Sequence, residues 1–283
     1  MQAVFEVHMS THILKNALKK MKPYIIGNKY TLQIVKSIND KIGSKIIFKS
    51  CNESNVLVQM DIMAQYFKSF TCNEPQVKIT FDPQKLRQLL KQVNDNAIIN
   101  ILMHTNDQSC IYIKPIQDLS LNELTYTQDL SSIIKCDLID DKSPLLKLHS
   151  LTFDNKVTLD SHRVLESFEF ITKYTNYMKI ILLPNNEITF ASIDSKTFEN
   201  HGIAITLKDI IHGTDLGQDN SIDHGIFDIK PLMKLVRCEN ISDISDISFY
   251  LKPNCSLGVS ANVSEIGKII MLVPQIKNND DNK

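Results

Sequence analysis

Two hydrophobic periods alternate along the chain, and each change of period marks a new element. Residues 4–9 read Val-Phe-Glu-Val-His-Met, the alternation of a half-buried strand. From Ser10 or Thr11 the spacing lengthens, and Leu14, Ala17, Leu18 and Met21 fall on one side of a helix that runs to about Lys22. Pro23 and Gly27 end it. Strand-like runs follow at Lys45–Ser50, Asn55–Asp61, Gln65–Cys72 and Val77–Phe81. Asp82-Pro83 then opens a second helix, with the aspartate as cap and the proline in the first turn. Leu86, Leu89, Leu90 and Val93 form its apolar stripe, and strands at Ile98–Met103 and Ser109–Ile113 come after it.

A similar order recurs. Leu124–Thr127 reads as a strand, and Asp129 caps an expected helix through Leu138 carrying Leu130, Ile133 and Ile134. Strands fit Leu145–Phe153, Lys156–Asp160 and Arg163–Ile171. Phe227-Asp228 starts a last helix with Leu232, Leu235 and Val236 inside, and strands at Ile247–Leu251, Ser256–Ala261 and Lys268–Pro274 close the pattern. The tail Lys277–Lys283 is polar and expected to be disordered.

The recurrence is visible in the letters. Phe81-Asp82 and Phe227-Asp228 lie 146 residues apart, and at that offset Leu86, Leu89 and Leu90 meet Leu232, Leu235 and Val236. Val58–Asp61 pairs with Val157–Asp160 at a shorter offset of 99, which calls for an insertion in the second half. The reading is therefore a first module over 1–117 and a second over 118–277. The insertion, or a degraded third module, falls near 172–222, and the tail occupies 278–283.

Composition narrows the class. The 283 residues are 43% hydrophobic and 22% charged, enough apolar surface to build folded domains. No apolar run reaches the ~18 residues that cross a bilayer, and the N-terminus lacks the pattern of a secretion signal, so the expected place is the cytoplasm, with no membrane partner. Six cysteines lie far apart without a Cys-x-x-Cys pair, so reduced, mostly buried thiols are expected and no metal. Only eight glycines are present, and no nucleophile elbow, phosphate loop or dinucleotide fingerprint occurs. Asp160-Ser161-His162 has the letters of a hydrolase triad, but neighbours in a strand point to opposite faces. No catalytic residue and no cofactor are assigned; the chain is not read as an enzyme.

Charge is the more telling signal. The net charge is only −1, from 31 basic and 32 acidic side chains, yet it is segregated by element. Residues 10–22 carry Lys15, Lys19, Lys20 and Lys22 with no acid; 82–93 carry Lys85, Arg87 and Lys91 against Asp82; 228–238 carry Lys230, Lys234 and Arg237 against Asp228. The expected helix at 128–140 is acidic, with Lys135 its one cation. Lys15, Lys19 and Lys22 share one helix side, and Lys230, Lys234 and Arg237 repeat their spacing. Like charges at this spacing repel by a few tenths of a kcal/mol. A solvated helix face would carry them, and so would a surface turned to a phosphate backbone.

The segment Leu148–Phe168 then resembles the second-domain signature of the bacterial DNA polymerase III beta sliding clamp. That family reads Thr-Asp-Gly-His-Arg-Leu where this chain has Leu159-Asp160-Ser161-His162-Arg163-Val164. The stretch from Phe227 onward is similar to the clamp's last helix and strands, ending in Leu272-Val273-Pro274-Gln275-Ile276. The resemblance implies an α+β DNA clamp fold of tandem modules, with antiparallel sheets outside and two helices per module lining a central hole. It implies a DNA polymerase processivity factor that encircles double-stranded DNA without reading its sequence. A clamp loader would place it there, and polymerase and loader would hold it through short peptides. The lining cations would be Lys15, Lys19, Lys20, Lys22, Lys85, Arg87, Lys91, Lys135, Lys230, Lys234 and Arg237. A peptide cleft would be formed by Leu159, Ser161, His162, Arg163, Val164, Val273, Pro274, Gln275 and Ile276. Four helices indicate two modules per chain, as in the proliferating cell nuclear antigen and phage clamps, so a homotrimer ring is favoured over a homodimer. The Ile-, Asn- and Lys-rich composition suits an AT-rich bacterium, its phage or a large DNA virus. The alternatives are a clamp-fold transcription or checkpoint factor that does not encircle DNA, and an enzyme using the insertion.

Overall fold

The computed structural model describes residues 2–22, 30–37, 43–51, 54–116, 132–138, 152–184, 187–194, 197, 199–208, 212–213, 221–237, 244–264 and 266–276. The expected strand at 124–127, the helix start at 129–130, most of the strand at 145–153 and the tail after 276 lie outside these residues. The chain divides into two compact units, one of Met1–Asn52, Val58–His149 and Glu265–Lys268, the other of Glu53–Leu57, Ser150–Ser264 and Ile269–Lys283. The first unit thus runs on past the expected boundary at 117.

In the first unit the order is β1 (Ala3–Ser10), α1 (Thr11–Met21), β2 (Tyr30–Val35), β3 (Lys45–Cys51), β4 (Leu57–Met63), β5 (Phe67–Cys72), β6 (Gln76–Phe81), α2 (Pro83–Gln92), β7 (Ile98–His104), β8 (Asp107–Ile116) and β9 (Ser132–Leu138). Its strands line up as β4-β3-β2-β6-β9-β8-β7-β1-β5. β9 changes partner midway: Ser132–Lys135 pair with β8 and Cys136–Leu138 with β6.

The second unit repeats that order with β10 (Asn155–Asp160), α3 (Ser161–Ile171), β11 (Tyr177–Leu183), β12 (Glu187–Ile193), β13 (Asn200–Leu207), β14 (His212–Gly213), β15 (Ile222–Asp228), α4 (Ile229–Val236), β16 (Asp246–Leu251), β17 (Leu257–Val263), β18 (Gly267–Val273) and β19 (Gln275–Ile276). Two antiparallel sheets result, β14-β10-β16-β17-β18 and β13-β12-β11-β15-β19. Each unit is therefore a strand-helix-three-strand module used twice, with one extra strand (β5, β14) between the two copies.

Three expectations change here. The expected helix through 138 is a strand over Ser132–Leu138: Ile134 and Cys136 are buried while Ile133, Lys135 and Asp137 are exposed, a period of two. The expected strand Arg163–Ile171 is helix α3, because Val164, Leu165, Phe168 and Ile171 are buried at helical spacing and Asp160 caps the first turn by accepting from the Arg163 N–H (3.0 Å). No insertion is needed over 172–222, since β11 to β15 are the ordinary strands of the repeat. The correct partner of β10 is β1, which leads into α1 as β10 leads into α3; the offset of 99 matches it to β4 instead.

The repeat has a mechanism at the helix starts. Thr11 is fully buried, and both its N–H (2.9 Å) and its hydroxyl (2.8 Å) donate to the Ala97 carbonyl just before β7. Ser161 stands 150 residues on; its N–H donates to the Ser245 carbonyl (2.9 Å) and its hydroxyl to that of Ile244 (2.5 Å), just before β16. Each pins a helix start to the strand after the unit's other helix. The opposite sides of the helices fill the core: Leu14, Leu18 and Met21 from α1, Leu86, Leu89 and Leu90 from α2. Each such side chain contributes about 1.5–3 kcal/mol as an upper bound. Phe168 of α3 meets Phe190 of β12 and Phe249 of β16 (centroids 5.2 and 6.3 Å apart), so one helix joins both sheets of its unit.

Candidate nucleic-acid interface

The helix sides turned away from these cores carry the charge. On α1, Lys19 and Lys22 are exposed and Lys20 half-buried; on α2, Lys85 and Lys91 are exposed; on α4 and its cap, Lys230, Lys234 and Arg237 are exposed. Amphipathic burial explains the placement, because Leu14, Leu18 and Met21, or Leu232, Leu235 and Val236, take the inner side and leave the lysines outside. Asp82 and Asp228 sit at the N-caps, where each accepts from a first-turn N–H (Gln84, 2.8 Å; Lys230, 2.9 Å). The two acids of the basic helices are thus consumed as caps.

Not all of the expected cations lie on these helix sides without other work. Lys15 donates to the Val93 carbonyl (2.7 Å) and to Asp95 (2.5 Å), and the ammonium beside it holds the Asp95 carboxyl below its ordinary range. It ties α1 to the end of α2. Arg87 donates to the Tyr30 hydroxyl (2.9 Å) with its guanidinium 5.6 Å from the ring centre, a contact within the first unit. Lys135, expected on a helix, is exposed on β9 opposite Cys110. It belongs to no helix side.

The fourth helix is unlike the others. The exposed side of α3 shows His162, Glu166 and Phe170, with Glu169 half-buried. His162 Nδ1 lies 3.4 Å from Glu166, and Arg237 places both Nε and Nη2 3.2 Å from one Glu169 oxygen. Phe170 and Tyr174 are 41% and 50% exposed with ring centres 5.6 Å apart. Sequence reasoning misses both acids and both rings, because the segment reads as a strand. The signal that finds them is Ser10-Thr11-His12 repeating as Asp160-Ser161-His162 at an offset of 150.

The expected peptide cleft does not form with all nine residues. Leu159, Val164 and Val273 are core residues with at most 1% exposure, and Ser161 is the buried pin of α3. His162 and Arg163 open α3, whereas Gln275 and Ile276 pair with Phe227 and Ile226 of β15 in the other sheet. Gln275 packs closely over Gly225, whose φ of 98° and missing Cβ make room for it. Pro274, Gln275 and Ile276 are half-buried.

Among the described residues, no group of three or more His, Cys, Asp or Glu is placed to hold a metal ion, and no helix is long and apolar enough to cross a membrane.

No protein-family model matches the chain. It is 25% identical over 236 residues, 83% of its length, to an Acanthamoeba polyphaga mimivirus protein described as a "Probable DNA polymerase sliding clamp". The chain spans about half (48%) of that curated relative. Among solved structures it is similar to PCNA of Thermococcus kodakaraensis (TM-score 0.64, 13% identity, 95% of this chain and 99% of that one). A. fulgidus PCNA, solved with the C-terminal region of FEN-1 bound, superposes with a TM-score of 0.65 at 14% identity over 97% of this chain and 100% of that one. PCNA of Entamoeba histolytica gives 0.63 at 13% identity over 97% and 100%. These neighbours are of the PCNA type and share the fold. Sequence likeness and architecture agree: the chain has the DNA clamp fold and is related to the sliding clamps.

Proposed function

We propose that the chain is a DNA polymerase processivity factor that closes into a ring of identical copies around double-stranded DNA. The observation that carries this reading is the lysine-bearing outer side shared by α1, α2 and α4, with their acids used as caps. Such sides meet phosphates without reading bases, which suits a protein that must slide. In the ring the helices face the hole, so the cations of every copy act on one duplex. The chemistry of synthesis stays with the polymerase.

Self-association is supported by the large apolar side chains left in water. Among the described residues these are Ile133 on β9 of the first unit and Phe170 and Tyr174 at the end of α3 in the second. Unlike exposed apolar groups, a lone Ile133 in one unit and the Phe170–Tyr174 pair in the other, suit head-to-tail contact between copies, and such contacts close into rings. Three copies, with two units each, are the favoured number. Polymerase and loader are expected to dock short peptides beside Pro274, Gln275 and Ile276, the accessible part of the expected cleft. The host compartment is where that DNA is copied.

Native mass spectrometry joined to negative-stain imaging tests the ring. Trimers with a hole of about duplex width, lost together on Tyr174→Lys, are the expected outcome. A monomer at micromolar concentration would favour the clamp-fold accessory factor instead.

A further inference from the structure

One face of the first unit's sheet buries charge. β4, β3, β2 and β6 are neighbours in that order, and Lys49 of β3 stands opposite Thr31 of β2, while Lys78 of β6 stands opposite Gln33 of β2. Thr31 and Gln33 are two residues apart, so Lys49 and Lys78 share a side of the sheet; Leu32 and Ile34 fill the core on the other. Lys45 lies on the Lys49 side and donates to Asp61 of β4 (2.5 Å), which also accepts from the Gln59 amide (2.6 Å). Gln33, Lys49, Gln59 and Asp61 are all buried. Asp61 is thus occupied, and the Lys49 Nζ has no hydrogen-bond partner among the described residues. The charged groups that act on it are Asp61, Lys78 and Lys45, two cations against one anion. A buried ammonium is disfavoured in that company and a neutral amine is not; burial brings the Lys49 pKa down to about 8.

An unprotonated, unpartnered amine is a nucleophile, and burial restricts it to small, uncharged electrophiles. We propose that Lys49 is a carbamate site: carbon dioxide adds reversibly to its side-chain amine, and the positive field of Lys45 and Lys78 holds the product. The nitrogen lone pair forms the new N–C bond, one C=O electron pair moves onto oxygen, and an N–H proton leaves to water or bicarbonate. Nothing is oxidised or reduced. The side chain passes from a cation to an anion, so the four charged groups become two cations and two anions, where the ammonium form has three cations against one anion. The carbamate also keeps one N–H. Two buried side-chain oxygens on this face, of Gln33 and Gln59, have no partner among the described residues, and an N–H is the kind of donor they need. The site belongs to the first unit alone and goes beyond the proposed role on DNA.

The modification needs neither DNA nor a second copy, so the purified full chain tests it. The probe is bicarbonate labelled with carbon-13, near pH 8, where about half of the Lys49 amine is neutral. Triethyloxonium converts each carbamate to a stable ethyl ester, and peptide mass spectrometry locates and counts the esters. The chain's α-amino group, of ordinary pKa about 8, is the internal standard. Lys49 is expected to carry several times more ester than the α-amino group, and Lys78→Gln to lower that yield severalfold. An ester level at Lys49 equal to or below the standard would overturn the site, and this result needs no variant to fold. An unchanged yield in Lys78→Gln would overturn the holding role of the cations. Bicarbonate should also raise the midpoint of chemical unfolding in the wild type and not in Lys49→Met; equal shifts in both would contradict a carbamate that stabilises the first unit.

Discussion

The two units share a scaffold and differ in what they put on its helices. α1 and α2 of the first unit carry lysines at Lys19, Lys22, Lys85 and Lys91 on exposed sides, and Asp95, just beyond α2, is occupied by Lys15. In the second unit α4 is basic, whereas α3 carries Glu166, Glu169 and the exposed Phe170. The buried halves are interchangeable in kind: a hydroxyl pin at Thr11 or Ser161, an aspartate cap at Asp82 or Asp228, and aliphatic stripes at matching offsets. Packing constrains only the inner side of a helix, so the outer sides of the four helices can diverge. Under the proposed function the outer sides of the first unit meet phosphate, and those of the second are used in part for contact with another copy.

The sharpest way to break this comparison is charge reversal. Lys19→Glu, Lys85→Glu and Lys91→Glu together are expected to abolish stimulation of a processive polymerase and to weaken duplex binding at least tenfold at about 0.1 M salt. Lys230→Glu with Lys234→Glu is expected to give a smaller loss of the same kind. Equal losses from the two sets would erase the distinction between the units.

A second contrast lies in buried ionisable groups. Lys49 on β3 is 1% exposed, and its ammonium has no hydrogen-bond partner among the described residues. Burial pushes its pKa down to about 8, against the pull of Asp61 and with the push of Lys78 and Lys45. The folded first unit therefore binds fewer protons than the unfolded chain between about pH 8 and 10.4, so its stability rises with pH across that window. Lys49→Met is expected to remove that rise and to stabilise the first unit at pH 7. Chemical unfolding at pH 7 and 9.5 measures both. In the second unit the corresponding liability is His224, buried with both ring nitrogens unpartnered among the described residues. Burial lowers its pKa, so the second unit loses stability as the pH falls through the ordinary histidine range, and His224→Phe should blunt that loss.

The pins give the smallest effects and test the likeness of the units. Thr11→Val and Ser161→Ala each remove one buried hydroxyl while the backbone N–H keeps its carbonyl, so each should cost about 1–2 kcal/mol in thermal unfolding. A large cost at one and none at the other would show that the repeat is not mechanical.

How much of this is legible in the residues follows from the same division. α1, α2 and α4 are readable because an apolar stripe, a cap and a run of lysines coincide on them. β9 and α3 exchange identities. Ile133, Ile134 and Leu138 imitate a helical stripe, yet the alternation of Ile134, Lys135, Cys136 and Asp137 is a strand's. In α3, apolar residues at 164, 165, 168, 170 and 171 look continuous enough for a strand; only the cap at Asp160 and the echo of Ser10-Thr11-His12 mark the helix. Aligning Val157–Asp160 with β4 in place of β1 hides that echo and creates an apparent insertion. The basic sides are visible as spacing, but the ion pairs that engage Lys15 and Arg237 join residues 80 and 68 positions apart. Sequence neighbours carry no trace of such pairs.

The central claim is that copies of this chain enclose a duplex. Load the protein on a nicked circular plasmid, remove the unbound fraction by gel filtration, and cut the plasmid once with a restriction enzyme. A closed ring stays on the circle and runs off the linear product, so protein should leave the DNA fraction within minutes of cleavage. Retention on the linear DNA equal to that on the circle would contradict enclosure and mean that the lysine-bearing helices bind DNA from the side.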